Sequence, residues 1–492
     1  MRKSLMVLGT CSNAGKSLIT AGICRILKRK GYRVAPFKAQ NMALNSYITN
    51  DGLEMGRAQV MQAEACGLDP DCRMNPVLLK PTGDDGSQVI LNGKVFGNMK
   101  AQEFYENKAI FREAIMKAYN SLAQDYDIIV MEGAGSPAEI NLKENDLVNM
   151  GMAKMADAPA ILVGDIDRGG VFASVAGTML LFDEEERERV KGIVINKFRG
   201  DLEILRPGLG MLEDIVKVPV LGVVPYINVE IDDEDSLSEK MTARAKESRL
   251  DIAVVRLPRI SNFTDFNVLE YMEDVSVRYV RTPRDFGEPD LLIVPGTKNT
   301  MADLLHIRQS GMEAKILKYA AKGKPIIGIC GGYQMLGQKL SDPHGVEHGG
   351  EIDGMRLLPH GTIFSLEKVT RKTAGRLSDV SGIFRALSGK EFNGYEIHMG
   401  LQESDKNIIN SGNVYGTYIH GIFDKSGVAA AVIEALFKEK GLEPKENSEF
   451  DLDEYKQGQY DTLAEAVEKS LDVNMLLDII NGSRAHAELD RK

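Results

Sequence analysis

The sequence predicts an α/β protein built as two mostly parallel-sheet domains, the first with a phosphate-binding loop and the second with a cysteine nucleophile. Three observations lead there. Short β-branched runs alternate with helical segments over about the first 228 residues, and most runs end in loops of small and polar residues. That is the pattern of a parallel sheet covered on both faces. A charged stretch from Glu230 to Arg249, acidic at its start, then breaks the alternation, as an inter-domain connection does. A second α/β series opens at Leu250 and contains Gly328-Ile329-Cys330-Gly331-Gly332 where a strand turns into a helix. The expected division is 1–228, an acidic linker at 229–249, a second domain at 250–445, and a charged helical extension over 446–492 packing back on that second domain.

A chain of 492 residues supports two to four domains, each with its own core. A net charge of −11 excludes broad nucleic-acid binding, which needs a basic footprint. Five cysteines without a C-x-x-C pair fit a reduced, cytoplasmic setting better than a disulfide framework or a zinc site. The run Leu5–Leu8 meets Gly9 too soon for a signal segment, and no apolar run approaches the length of a membrane span. A soluble protein is expected, with its oligomeric state left open.

Ser4–Leu8 reads as a buried strand, followed by Gly9-Thr10-Cys11-Ser12-Asn13-Ala14-Gly15-Lys16-Ser17 and an amphipathic helix over Ser17–Lys30 that Gly31 ends. Strand, glycine loop, Gly-Lys-Ser and helix make a P-loop. Thr10, Asn13 and Gly15 would cradle phosphates, Lys16 would reach the β/γ oxygens of ATP, and Ser17 would hold Mg²⁺. The first glycine lies one residue earlier than in the commonest P-loops, a spacing that resembles dethiobiotin synthetase and its relatives. Tyr32–Pro36 is a second strand, and Lys38 beyond its end stands where phosphate or a carboxylate could be met. A helix is expected over Met55–Cys66, a strand over Pro76–Pro81 and one long helix over Phe104–Leu122. The strand Tyr126–Met131 leads to Glu132 and a Gly-Ala-Gly loop, the place for a Mg²⁺-binding carboxylate. Asp165 and Asp167 close the next strand, with a role in metal binding or substrate positioning left open. Asn196 closes another, where its amide can pair with an adenine edge. Pro219–Pro225 ends the block.

In the second block, Leu291–Val294 runs into Pro295-Gly296-Thr297, a loop able to give an oxyanion a backbone N–H at Gly296; Gly331, next after the cysteine, gives the other. The cysteine itself sits on a glycine-bracketed elbow of the G-x-S-x-G kind, beside helix N–H groups that favour a thiolate. His344-Gly345-Val346-Glu347-His348 spells H-x-x-E-H, but Pro343, Gly345 and Gly349-Gly350 make it a loop rather than a zinc-binding helix. Alternation puts Glu396 and His398 on one side of an extended segment. His420 follows the strand Val414–Ile419 and is the expected base for Cys330. Leu463–Ile480 reads as one amphipathic helix.

With both halves read, the chain resembles the cobyric acid synthases, glutamine-dependent amidases of cobalamin assembly. The resemblance rests on Gln40-Asn41-Met42-Ala43-Leu44-Asn45-Ser46, Glu54-Met55-Gly56-Arg57-Ala58-Gln59, Gly164–Gly170, Gly328–Gln334 and Tyr418-Ile419-His420-Gly421. It implies a dethiobiotin-synthetase-like ATPase joined to a class I glutamine amidotransferase-like domain, with Cys330 as nucleophile and His420 as its partner. It also implies a corrinoid substrate, adenosylcobyrinic acid a,c-diamide, four of whose carboxylates (b, d, e and g) are amidated with ammonia from L-glutamine. Activation by ATP makes each carboxylate oxygen a leaving group, as an acyl phosphate, before ammonia attacks. Many class I glutaminases carry His-x-Glu, whereas position 422 here is Ile422. The group orienting His420 is thus open, or the pair is a dyad. Three other readings stay open: cobyrinic acid a,c-diamide synthase, a nucleotide-switch module, and a cysteine hydrolase with a vestigial ATPase half.

Overall fold

Six strands form the central sheet of the first domain, in the order Val220–Pro225, Val190–Phe198, Ala160–Asp165, Lys3–Gly9, Ile128–Glu132, Val34–Phe37. All five pairings are parallel. The computed structural model describes residues 3–82, 86–231, 248–402, 406–443 and 450–482, so most of the expected acidic linker lies outside the described residues. Period-two alternation gives the sheet two cores. Met6 and Leu8 join Leu162 and Ile193 on one face, and Leu5 and Val7 join Ile161, Val163 and Val194 on the other. Burial on both faces is why these strands are continuously apolar in sequence.

One face is completed from the far end of the chain. The expectation that 446–492 packs on the second domain is corrected here. Helices Leu452–Ser470 and Val473–Asn481 lie chiefly on the first domain, where Leu463, Val467, Leu476 and Ile479 enter the core of Leu5 and Val7. The helix Lys16–Arg29 leaves part of that face uncovered, and the C-terminal pair fills it. A Cβ added at Gly22 would stand 2.9 Å from Val467, and Arg25 meets Asp461 at 2.7 Å. The expected single helix over 463–480 is two, because Asp472 caps the second by accepting from the Met475 N–H at 2.9 Å. The expected helix over 104–122 is likewise two, Ala101–Glu106 and Lys108–Asp125, parted at Asn107.

The strand Val77–Pro81 belongs to a separate four-stranded sheet, ordered Gln40–Met42, Val77–Pro81, Gly86–Leu91, Lys94–Lys100. It stands between the two reaction sites. Leu79, Pro81, Ser87 and Val89 line a cavity of the first domain, while Lys80 lines one at Cys330. Gln88, paired in register with Lys80, turns the same way and accepts from Lys298 and Lys368 of the second domain at 3.3 and 3.1 Å.

The second domain repeats the plan in the order Val275–Val280, Leu250–Val255, Leu291–Val294, Ile326–Ile329, Val414–Thr417, Ile409–Ser411, parallel except for the last pairing. A long antiparallel pair, Gly361–Arg376 with Glu391–Leu401, extends from it toward the first domain. There Lys368 meets Glu54 at 2.6 Å and the Lys372 ammonium donates to the Tyr47 hydroxyl at 2.6 Å.

Candidate active site

Two sites are built on the carboxyl ends of the two parallel sheets. In the first, Gly15 (φ 85°) and Asn13 (φ 61°) take left-handed conformations that curl the loop ahead of the helix Lys16–Arg29. The loop is braced from below: Asn196 donates to the Ala14 carbonyl at 2.9 Å and Lys197 to that of Asn13 at 2.6 Å. Asn196, expected to pair its amide with an adenine edge, is buried beneath the loop with its nitrogen engaged there. The Lys16 ammonium curls over the loop mouth, 3.0 Å from the carbonyls of Cys11 and Gly135. Thr10 holds the loop to the Val163 carbonyl at 2.9 Å through its N–H, while its hydroxyl is buried with no hydrogen-bond partner among the described residues.

These residues open on a cavity of about 1110 Å³, lined also by Met42, Val89, Phe104, Tyr105 and Leu142. Glu132 is fully buried at its base. It accepts from the Ser17 hydroxyl at 2.9 Å, from Lys38 at 2.9 Å and from Gln62. Burial opposes its ionisation, but Lys38, with Gln62 and Lys16, outweighs burial and holds the carboxyl below its ordinary value. An ionised carboxylate against a serine hydroxyl, both under a phosphate loop, is a donor set that suits a hard divalent cation. Lys38, expected toward phosphate, pairs with Glu132 in this structure. Asp165 and Asp167 lie apart from that carboxylate, paired with Lys197 at 3.3 Å and Arg199 at 3.0 Å.

In the second site Cys330 stands between the strand Ile326–Ile329 and the short helix Gly331–Leu336, at φ 51° and ψ −109°. A non-glycine residue there stores about 1–3 kcal/mol of strain. The turn is tightly packed: a Cβ at Gly328 would lie 2.9 Å from the Tyr333 Cα, and one at Gly332 would lie 1.9 Å from the carbonyl oxygen of Val294 on the neighbouring strand. The Cys330 thiol donates to the Ile397 carbonyl at 3.6 Å, and Cys330 and His420 line the same small cavity.

His420 is buried, and its Nδ1 faces the Asp265 carboxylate at 2.7 Å, leaving Nε2 for the thiol. Burial opposes the charged ring. The Asp265 carboxylate and the Cys330 sulfur outweigh it and hold the imidazole pKa up to about 10. The orienting group left open by Ile422 is therefore Asp265, contributed 155 positions upstream by the turn Phe263–Phe266. No local signal marks it, since Asn262-Phe263-Thr264-Asp265 carries no motif and contact with His420 is purely tertiary.

The cavity at the thiol holds only about 50 Å³ and is walled by both domains, with Lys80, Thr297, Lys298, Gln334, Glu347 and Lys368 among its lining. Gly331, expected to donate to an oxyanion, is the first residue of the helix after the cysteine. Gly296 sits one step behind the wall, where a Cβ would meet His420 Cε1 at 3.2 Å, and Thr297 and Lys298 are the loop residues that line the cavity. Burial lowers the Lys298 pKa, with Lys368 and Lys80 adding to the shift, and burial raises that of Glu347. Glu54 is held well below the carboxylate range, because Lys368 and Lys80 overcome its burial. The H-x-x-E-H segment is a loop, as expected. Glu347 accepts from the Thr300 N–H at 2.6 Å, and no cluster of three or more His, Cys, Asp or Glu suited to a metal occurs among the described residues. Glu396 and His398 do share a side, 3.4 Å apart, and the His398 ring stacks on Tyr418.

Fold and sites together define a glutamine-dependent amidotransferase joined to a nucleotide-binding domain. Residues 5–237 match the CobQ/CobB/MinD/ParA nucleotide binding domain and residues 251–428 the CobB/CobQ-like glutamine amidotransferase domain. The chain is 58% identical to a cobyric acid synthase of Ruminiclostridium cellulolyticum, covering 98% of this chain and 97% of the relative. It is 54% identical to one from Lachnoclostridium phytofermentans, over 98% and 99% of the two chains, and 51% identical to one from Clostridium botulinum, over 97% and 99%. The chain belongs to the cobyric acid synthase family.

Proposed function

We propose that this protein amidates the b, d, e and g carboxylates of adenosylcobyrinic acid a,c-diamide, giving adenosylcobyric acid, with nitrogen drawn from L-glutamine at Cys330 and activation by Mg²⁺·ATP in the first domain. The observation that carries the reading is the pairing of a P-loop beside Ser17 and Glu132 with a cysteine–imidazole–carboxylate chain, on opposite sides of one β-sheet. A cytoplasmic setting suits it: all five cysteines are free, and no described helix is long and apolar enough to cross a membrane.

ATP with Mg²⁺ supplies the phosphoryl group that turns a carboxylate oxygen into a leaving group. Lys16 neutralises charge on the transferring group, Thr10, Asn13 and Gly15 cradle the phosphates, and Ser17 with Glu132 holds the cation. The wide cavity with Phe104, Tyr105, Leu142 and Met42 in its wall takes the corrin ring. At the other site Cys330 Sγ attacks the glutamine side-chain carbonyl. Backbone N–H groups at Gly331 and the Gly296–Thr297 loop receive the oxyanion. Nε2 of His420 delivers the proton that lets ammonia leave, and the thioester is then hydrolysed by water to glutamate.

Mass spectrometry of the a,c-diamide incubated with protein, ATP, Mg²⁺ and glutamine tests this. Four added amides are expected. Amidation of unsubstituted cobyrinic acid only at a and c, with the diamide left untouched, would identify the other corrinoid amidase and sink the proposal.

A further inference from the structure

Neither reaction centre uses the end of the segment Gln40–Ser46, although Asn41, Asn45 and Ser46 are all buried. The start of the segment belongs to the nucleotide cavity, which Lys38, Gln40, Asn41 and Met42 line. Its end crosses into the second domain. There Ser46 engages all three of its polar groups. Its N–H donates to Asn262 Oδ1 at 3.0 Å, its carbonyl accepts from the Tyr395 hydroxyl at 3.0 Å, and its Oγ accepts from Lys80 at 2.9 Å. Beside it, Asn45 Oδ1 accepts from the Phe263 N–H at 3.3 Å.

Each second-domain partner stands one step from the His420–Asp265 pair. Asn262 (φ 53°) and Phe263 open the turn that carries Asp265, whose N–H returns to the Asn262 carbonyl at 3.1 Å. Tyr395 exchanges two backbone hydrogen bonds with His420, at 3.1 and 2.9 Å, and its ring stacks on the imidazole with centroids 5.3 Å apart. The carboxylate and the imidazole are thus carried by separate elements, and both elements are tied to the same residue of the other domain.

We propose that Ser46, with Asn45, is a positioning element of the glutaminase: the first domain fixes the His420–Asp265 geometry, and glutamine is hydrolysed quickly only while this corner is seated. The proposal rests on the reading of Cys330 and His420 as the glutaminase pair. Proton transfer is steep in distance, and a displacement of about 1 Å typically costs on the order of 100-fold in rate.

The test uses Tyr395→Phe, which removes one hydroxyl and leaves the stacked ring, and Asn262→Gly, which removes the acceptor and is at ease at positive φ. Both are made in the full chain. Expected are a fall in kcat for glutamate release of about tenfold to 100-fold, with KM for glutamine changed by less than about twofold. Alkylation of Cys330 by iodoacetamide, followed on its peptide, slows in parallel, and amidation from ammonium salt is unchanged. Unaltered kcat and alkylation in both variants overturn the proposal. So does a rise in KM with kcat intact, which would make the contacts mere pocket packing, and so does equal loss of amidation from ammonium salt. Cys330→Ala in the same glutaminase assay separates the two levels: glutamate release by that variant would overturn the underlying glutaminase reading instead.

Discussion

The nucleotide site and the thiol site are closed in opposite ways. The first is an open cavity of about 1110 Å³ in which Lys16, Ser17, Lys38 and Glu132 follow three strand ends of a single sheet. The second is a chamber of about 50 Å³ with walls from both domains, and Cys330, His420 and Asp265 come to it on three separate turns. One leaves room for a large substrate beside a nucleotide; the other has room only for a small one. The nucleotide cavity is lined by its own domain alone, whereas the thiol cavity takes part of its wall from the neighbouring domain.

The sharpest way to break that comparison is Cys330→Ala. Glutamine-driven amidation should fall by about 10⁴-fold or more, and amidation from concentrated ammonium salt at mildly alkaline pH should persist. Parallel loss of both in a folded protein would mean that the halves are a single unit. Next is Lys16→Ala, expected to cost on the order of 10³-fold with either nitrogen donor, because activation precedes any use of ammonia. Normal amide formation from ammonium salt by this variant would remove the P-loop from the mechanism. Asp265→Asn should lower glutaminase kcat by about 10²–10³-fold through loss of charge and tautomer control at His420, with ammonia-dependent amidation intact; an unchanged kcat would reduce the site to a dyad.

The smallest effect is on stability. The folded-state pKa of His420, about 10, lies above the ordinary 6.5. Its stabilisation is therefore complete below about pH 6.5 and is lost as pH rises through 10. The Tm gap between wild type and Asp265→Asn should be widest near pH 6.5 and close toward pH 10, a change of a few degrees. A gap that widens with pH would show that the ring is neutral in the native protein.

These two sites also differ in how far the sequence reveals them. The P-loop, Glu132 and the cysteine elbow are written in contiguous residues, because loop curvature, helix start and strand end are local properties, and all three lie where the strand pattern puts them. Asp265 was invisible because its role is a contact across 155 positions, made by a turn with no signature. The C-terminal helices were legible as helices but not in their destination. Their apolar stripes say that something is covered, and only the exposed face beside Lys16–Arg29 says what. Asn196 stands at the strand end the pattern predicts, but its hydrogen bond to the Ala14 carbonyl is illegible there, since the bracing of a loop from below leaves no mark on spacing.

The thin sheet between the cavities makes the register of two strands a functional quantity. Leu79 and Val89 are directly paired, as are Lys80 and Gln88, and the pairs face opposite chambers. A slip of one residue in the strand Val77–Pro81 would turn Lys80 toward the nucleotide and Leu79 toward the thiol, exchanging charge for hydrocarbon on both sides at once. The partition therefore cannot drift in sequence as an ordinary edge sheet can: an insertion or deletion of a single residue here is a simultaneous lesion in two enzymes, even though neither loses a catalytic group.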